Sequence, residues 1–199
     1  MISLGQSFGT VVGIDFAEET AGNTVFSIVA VEVGKTSLQS KTPGASKLTF
    51  YFDVAEGKNA GIYKDFQKKF GKPETPLGRY FSETFVLSAD NLPFLKGFVA
   101  HISSEPENAE FKDAIEAVTA RGDIDETLLI GRKIGMNTYW RKDPKSGYSN
   151  LTKKKLISVA EARKPSPQIS KPERDMSKVQ STGDGFGGGA QTGAEGGWN

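Results

Sequence analysis

Tyr139 and Trp140 run directly into Arg141 and Lys142, Lys145 and Tyr148 follow, and Lys153, Lys154 and Lys155 stand in a row beyond them. Rings that stack on unpaired bases and cations that track phosphates are the two ingredients of a single-stranded nucleic-acid site, where stacking is worth about 1–3 kcal/mol per base. The stretch Tyr63-Lys64-Asp65-Phe66-Gln67-Lys68-Lys69-Phe70 repeats the mixture. It adds Tyr63, Lys64, Lys68 and Lys69 to the candidate contacts. Tyr51 joins them because alternation turns it away from the row Leu48, Phe50, Phe52. The plainer alternative is a soluble hairpin whose alternate rings are core and whose lysines blunt a sheet edge. Phe66 and Phe70, spaced i,i+4, read as core on that ground. Neighbouring strand residues point to opposite faces, so only one of Tyr139 and Trp140 can meet a ligand. Trp140 is the first choice and Tyr139 the second.

Catalytic chemistry has less to build on. His101 is the only histidine and sits in an apolar stretch, and there is no cysteine, so an imidazole–thiolate metal site is excluded. Glu56-Gly57-Lys58 resembles the E-x-K half of a metal-dependent nuclease site, with Asp53 or Asp15 as the second carboxylate for Mg²⁺. Charged turns of this kind are common, and a three-residue match discriminates weakly. The chain therefore reads as a binding protein with no catalytic residues, no metal and no cofactor.

The net charge of +1 conceals strong segregation. Residues 132–155 carry eight Lys or Arg against one Asp, residues 58–72 five Lys against one Asp, and residues 105–126 eight acids against two bases. Salt screens charges beyond roughly 10 Å, so a bound polyanion responds to the local balance rather than the total. The two basic segments serve one ligand only if they share a surface, and the acidic segment is expected to face away from it. Apolar residues make up 37% and no run is long enough to span a membrane. The first residues, MISLGQSFGT, lack a secretory pattern. Together with the missing cysteines this points to a cytoplasmic setting.

These residues need elements to position them. VFSIVAVEV (25–33) and KLTFYFDVA (47–55) alternate as strands, and IYKDFQKKF reads as a third strand running into a helical turn. Residues 90–103, DNLPFLKGFVAHIS, read as a helix with Asp90 as N-cap, Pro93 in the first turn and Leu92, Leu95, Phe98, Val99 and Ile102 on one face. Residues 108–120 form a second, acidic helix. Residues 128–140 and 148–160 read as two strands joined by a DPKSG turn. Five strands with a helix between the third and fourth is the order of an OB-fold, a small five-stranded barrel. The fold class is thus mainly β, OB-like, over residues 1–162. Residues 163–199, proline-rich first and then with eight glycines in the last nineteen positions, read as a disordered tail.

Three segments carry a family resemblance: LTFYFDVAEGKNAGIYKDFQKKFG, LPFLKGFVAHISSEPENAEF and GRKIGMNTYWRKDPKSGY. In that order they resemble a family of small phage-encoded proteins, many catalogued without a function and encoded beside recombination and replication genes. Its recurrent elements are a D-(I/V)-A-E-G-x-x-x-G turn, here Asp53 to Gly61, a P-x-x-K-G-F-(I/V) helix, here Pro93 to Val99, and a G-(K/R)-x-(I/V)-G strand, here Gly131 to Gly135. The resemblance spans about residues 25–162. It implies sequence-independent binding of single-stranded DNA on an OB-like barrel in phage replication or recombination, inside the bacterial host. Expected partners are single-stranded DNA and, through the tail, phage replication or recombination proteins, with self-association left open. Bacterial single-stranded DNA-binding proteins end in an acidic segment with a terminal Pro-Phe, whereas this chain ends Gly196-Gly197-Trp198-Asn199. The rival readings are an accessory factor that binds a protein and little DNA, and the metal-dependent nuclease.

Overall fold

The computed structural model describes residues 19–38, 40–142 and 149–173. In chain order the elements are β1 (Thr20–Ala21), β2 (Asn23–Lys35), β3 (Ser46–Val54), α1 (Ile62–Phe70), β4 (Phe81–Val86), α2 (Leu92–Ser104), a 3-10 helix (Pro106–Phe111), α3 (Lys112–Ala120), α4 (Glu126–Leu129), β5 (Lys133–Lys142), β6 (Ser149–Ile157), α5 (Val159–Ala162) and β7 (Ile169–Ser170). No helix among the described residues is long and apolar enough to cross a membrane.

Five strands form one antiparallel sheet in the order β4-β3-β2-β5-β6, and β1 pairs with β7 beside it. The expected barrel is not closed, because β4 and β6 are both edges and do not pair. The sheet nevertheless curls. A flat sheet would hold its outer strands about 19 Å apart, beyond the reach of a lysine and a glutamate end to end, yet Lys153 Nζ of β6 lies 2.6 Å from Glu83 Oε1 of β4. Register shifts at Ile28/Ala30 and Asn137/Thr138 supply the extra coil.

One face of the sheet is apolar. Phe26, Phe50, Phe52, Phe81 and Phe85 project from it, and Phe50, Phe52 and Phe85 meet Phe98 of α2, with centroids 4.9 Å apart for Phe50–Phe98 and 5.2 Å for Phe85–Phe98. Leu95, Phe98, Val99 and Ile102 are buried as the helical spacing requires. Asp90 does not cap α2: the cap position is Asn91, which makes no side-chain bond. A smaller cluster of Val25, Ile157, Val159 and Ala162 packs α5 on the opposite face.

Three elements differ from the sequence reading. IYKDFQKKF is a helix, because Asp53 at the end of β3 accepts N–H bonds from Tyr63 at 3.0 Å and Lys64 at 3.2 Å and so caps it from a distance. FSETFV, unassigned from sequence, is the edge strand β4. Leu128 and Leu129 belong to the short helix α4, started by Asp125, whose side chain accepts from Thr127 N. Strand β5 begins only after Gly131 has turned the chain with φ 83°. Contacts also continue past Ala162: Arg163 joins an ion-pair cluster, and Ile169–Ser170 pairs with Thr20–Ala21.

Candidate nucleic-acid interface and the cleft beside it

The β5–β6 hairpin carries the opening candidates. Tyr139 and Arg141 share a face with Asn137, and their cross-strand partners are Thr152, Asn150 and Lys155. Lys154 is the extra residue of the bulge, so Lys154 and Lys155 together oppose Asn137. Tyr139 is 40% exposed, and Arg141, Lys142, Lys154 and Lys155 are exposed. Lys155 Nζ lies 3.7 Å from Glu161. Arg141 and Lys154 form no ion pair among the described residues. Lys145 and Tyr148 lie outside the described residues, as does Asp15.

Trp140 points the other way. Its indole N–H donates to Ile169 O at 2.7 Å, and Lys171 Nζ sits 5.6 Å from its ring centroid. A cation over an aromatic face contributes about 0.5–1 kcal/mol at such a site. The ring is engaged by the chain's own C-terminal segment, and the outward ring of the pair is Tyr139.

The other candidates separate. Tyr63 is 4% exposed and donates its hydroxyl to Glu19 Oε1 at 2.6 Å. It is a core ring, so it offers no outward stacking platform beside the hairpin, and burial pushes its hydroxyl well above the ordinary tyrosine range. Lys64, Lys68 and Lys69 are exposed on α1, whose apolar side enters the main core. Lys153 is internal, bonded to Glu83 and within 6 Å of two rings, Phe85 at 5.8 Å and Phe98 at 5.6 Å. Tyr51 does share the sheet face of Tyr139, and its hydroxyl donates to Glu32 at 3.0 Å. It stands opposite Ala30, whereas Thr138 N bonds Gly22 O. That offset separates the two rings by roughly 25–30 Å along the sheet.

The acidic segment is partly structural. Glu105 is buried and its Oε2 accepts Val159 N at 3.0 Å. Glu107 meets Lys133 at 3.1 Å and also contacts Arg163. Asp113, Glu116, Asp123 and Glu126 remain exposed.

Glu56, the E-x-K carboxylate, is held rather than poised. Arg163 donates to both its oxygens at 2.6 and 2.8 Å, and Lys133 Nζ lies 2.7 Å away. First the Arg163 bonds and then Lys133 pull its pKa down to about 2. Asp53, its proposed partner, points into the backbone of α1. No group of three His, Cys, Asp or Glu among the described residues could hold a metal ion.

Sequence reasoning missed a cleft of about 390 Å³. Strand β3 stops at Val54, opposite Phe26, while β2 runs on down to Asn23. The gap left beside β2 is walled by the Glu56–Asn59 turn and by residues from Arg163 to Gln168, the two joined by the Arg163–Glu56 ion pair. The exposed edge of β2 is satisfied by side chains of that second wall: Asn23 N donates to Ser166 Oγ at 3.2 Å and Gln168 Nε2 to Asn23 O at 3.3 Å. Glu19 lines the gap, and burial raises its pKa despite the Tyr63 bond and Lys171 at 4.0 Å. The only sequence trace was the glycine-bounded turn after β3.

The three recurrent motifs resolve into fold positions. Gly57 and Gly61 have φ 84° and 78°, Pro93 stands in the first turn of α2, Phe98 and Val99 are core, and Gly131 turns into β5. No protein-family model, curated protein or solved structure matches the chain.

Proposed function

We propose that the protein binds single-stranded DNA without sequence preference, through the outer face of the β5–β6 hairpin. The observation that carries this reading is the exposed ring of Tyr139 beside Arg141, with Lys154 and Lys155 on the next strand. One ring and a short row of cations make a small footprint, so intrinsic affinity is modest and strongly salt-dependent. We propose an OB-like architecture as well, supported by a curled five-stranded antiparallel sheet with a helix across its inner face. Phage replication or recombination as the setting rests on the three motifs. A second reading, an accessory factor that binds a protein, draws on Phe94, 71% exposed, with Leu92 and Leu87 half-exposed nearby in sequence.

Titration of a labelled thymidine oligonucleotide and a matched duplex at several salt concentrations tests the proposal. Tyr139→Ala should weaken single-strand binding by about 1–3 kcal/mol and leave the salt slope nearly unchanged. Arg141→Ala with Lys154→Ala should flatten the slope by about 0.7 for each lost phosphate contact. No binding even at low salt would overturn the reading in favour of the accessory factor.

A further inference from the structure

The cleft at the end of β3 has the size and chemistry of a ligand site. Its volume, about 390 Å³, falls at the lower end of the range for small-molecule pockets, roughly 300–1,000 Å³. Val25, Ile62, Tyr63 and Leu151 give it apolar walls. They are buried or half-buried, and three of them are fixed by the packing of β2 and α1. Asn59 lines the cleft from the turn and Gln168 from the C-terminal segment, the latter with its amide bonded to Thr20, Asn23 and Ser166.

Charge selects the ligand. Of the two carboxylates in the lining, Glu56 is matched by Arg163 and Lys133, and Glu19 by Tyr63 with Lys171 nearby. Lys58 and Lys164, both exposed, line the cleft from the turn after β3 and from the C-terminal segment, and form no ion pair among the described residues. Two uncommitted cations above an apolar slot favour a ligand with a flat apolar body and a compact negative group. The slot also adjoins the hairpin. Asn23 in its lining accepts from Asn137 Nδ2 at 2.6 Å, and Asn137 lies two positions before Tyr139 on the same face, about 7 Å along the strand.

We propose that this cleft binds one nucleotide, its base between the apolar walls and its phosphate between Lys58 and Lys164. The choice of a nucleotide over other aromatic anions rests on the single-strand reading; the cleft and its charge do not. A strand crossing Tyr139 then places a neighbouring nucleotide in the slot, which gives the hairpin a second anchoring point.

The test uses the full chain and a deoxynucleoside monophosphate as probe, with amide chemical shifts as the readout. The monophosphate should move the amides of Gly57, Lys58 and Ser166. Lys58→Ala with Lys164→Ala should weaken that binding about tenfold or more, since each lysine supplies a charge-assisted contact to the phosphate. Both lysines are exposed, so the variant should keep its fold. Unmoved cleft amides at millimolar probe overturn the proposal, as does inorganic phosphate that binds equally well, which would leave an anion site without base recognition. If the oligonucleotide binds through Tyr139 while the monophosphate leaves the cleft untouched, the inference alone fails. If the monophosphate binds and the oligonucleotide does not, the single-strand reading alone fails.

Discussion

A methyl group at Gly135 would stand 2.5 Å from the carbonyl oxygen of Ser158 and 2.6 Å from that of Ile157. Both are backbone atoms where the chain turns from β6 into α5, and neither can swing aside. Gly135→Ala should therefore cost about 1–3 kcal/mol or more, read as a lowered denaturation midpoint. The spacing of Gly131 and Gly135 was visible in the sequence, but their reasons differ: one needs a left-handed turn, the other a close backbone approach. Asp53 shows the same limit. Alternation put it on the face opposite Phe52, and its partners could not be read because they come from a helix ten residues later. Its carboxylate accepts N–H bonds from Val54, Tyr63 and Lys64 while itself only 5% exposed. Asp53→Ala leaves those donors short of acceptors, and chemical denaturation should show a loss of about 1–3 kcal/mol.

At the scale of elements, the hairpin divides its two neighbouring rings between two jobs. Trp140 ties down the segment that holds β7, whereas Tyr139 faces solvent. Trp140→Ala should lower the melting temperature more than Tyr139→Ala does, and Tyr139→Ala should weaken oligonucleotide binding more than Trp140→Ala does. Thermal melts and binding isotherms on the same two proteins check both halves. Alternation made this division of faces legible; which face was solvent depended on where residues 163–171 return, and their composition gave no hint of pairing. Those residues also carry Arg163 to Glu56 and Glu107. A chain ended after Ala162 should be less stable than one ended after Glu173, by about 1–3 kcal/mol, because it loses the Arg163 pairs and the Trp140 acceptor.

Over the whole molecule, the cluster of Glu56, Glu107, Lys133 and Arg163 joins the turn after β3, the 3-10 helix, β5 and the C-terminal segment. Glu56 holds its proton less firmly when folded, with a pKa of about 2 against 4.5, and Glu107 is lowered in the same direction, chiefly by Arg163. Their stabilising effect is complete above about 4.5 and fades as pH falls towards 2. Glu56→Gln should accordingly lower the melting temperature at neutral pH, and the gap from wild type should close progressively below pH 4.5. The sequence by itself determined a mainly β chain, the long helix with its buried stripe, the charge segregation and the pair of rings at the head of a basic hairpin. These follow from local periodicity and composition, which one segment carries alone. Tertiary structure decided the rest: that the sheet curls without closing, that Tyr63 and Lys153 turn inward, that Glu56 is bound by cations distant in sequence, and that a cleft opens where β3 ends. Each of these depends on contacts between segments far apart in the chain, and such contacts leave no periodic trace in either partner.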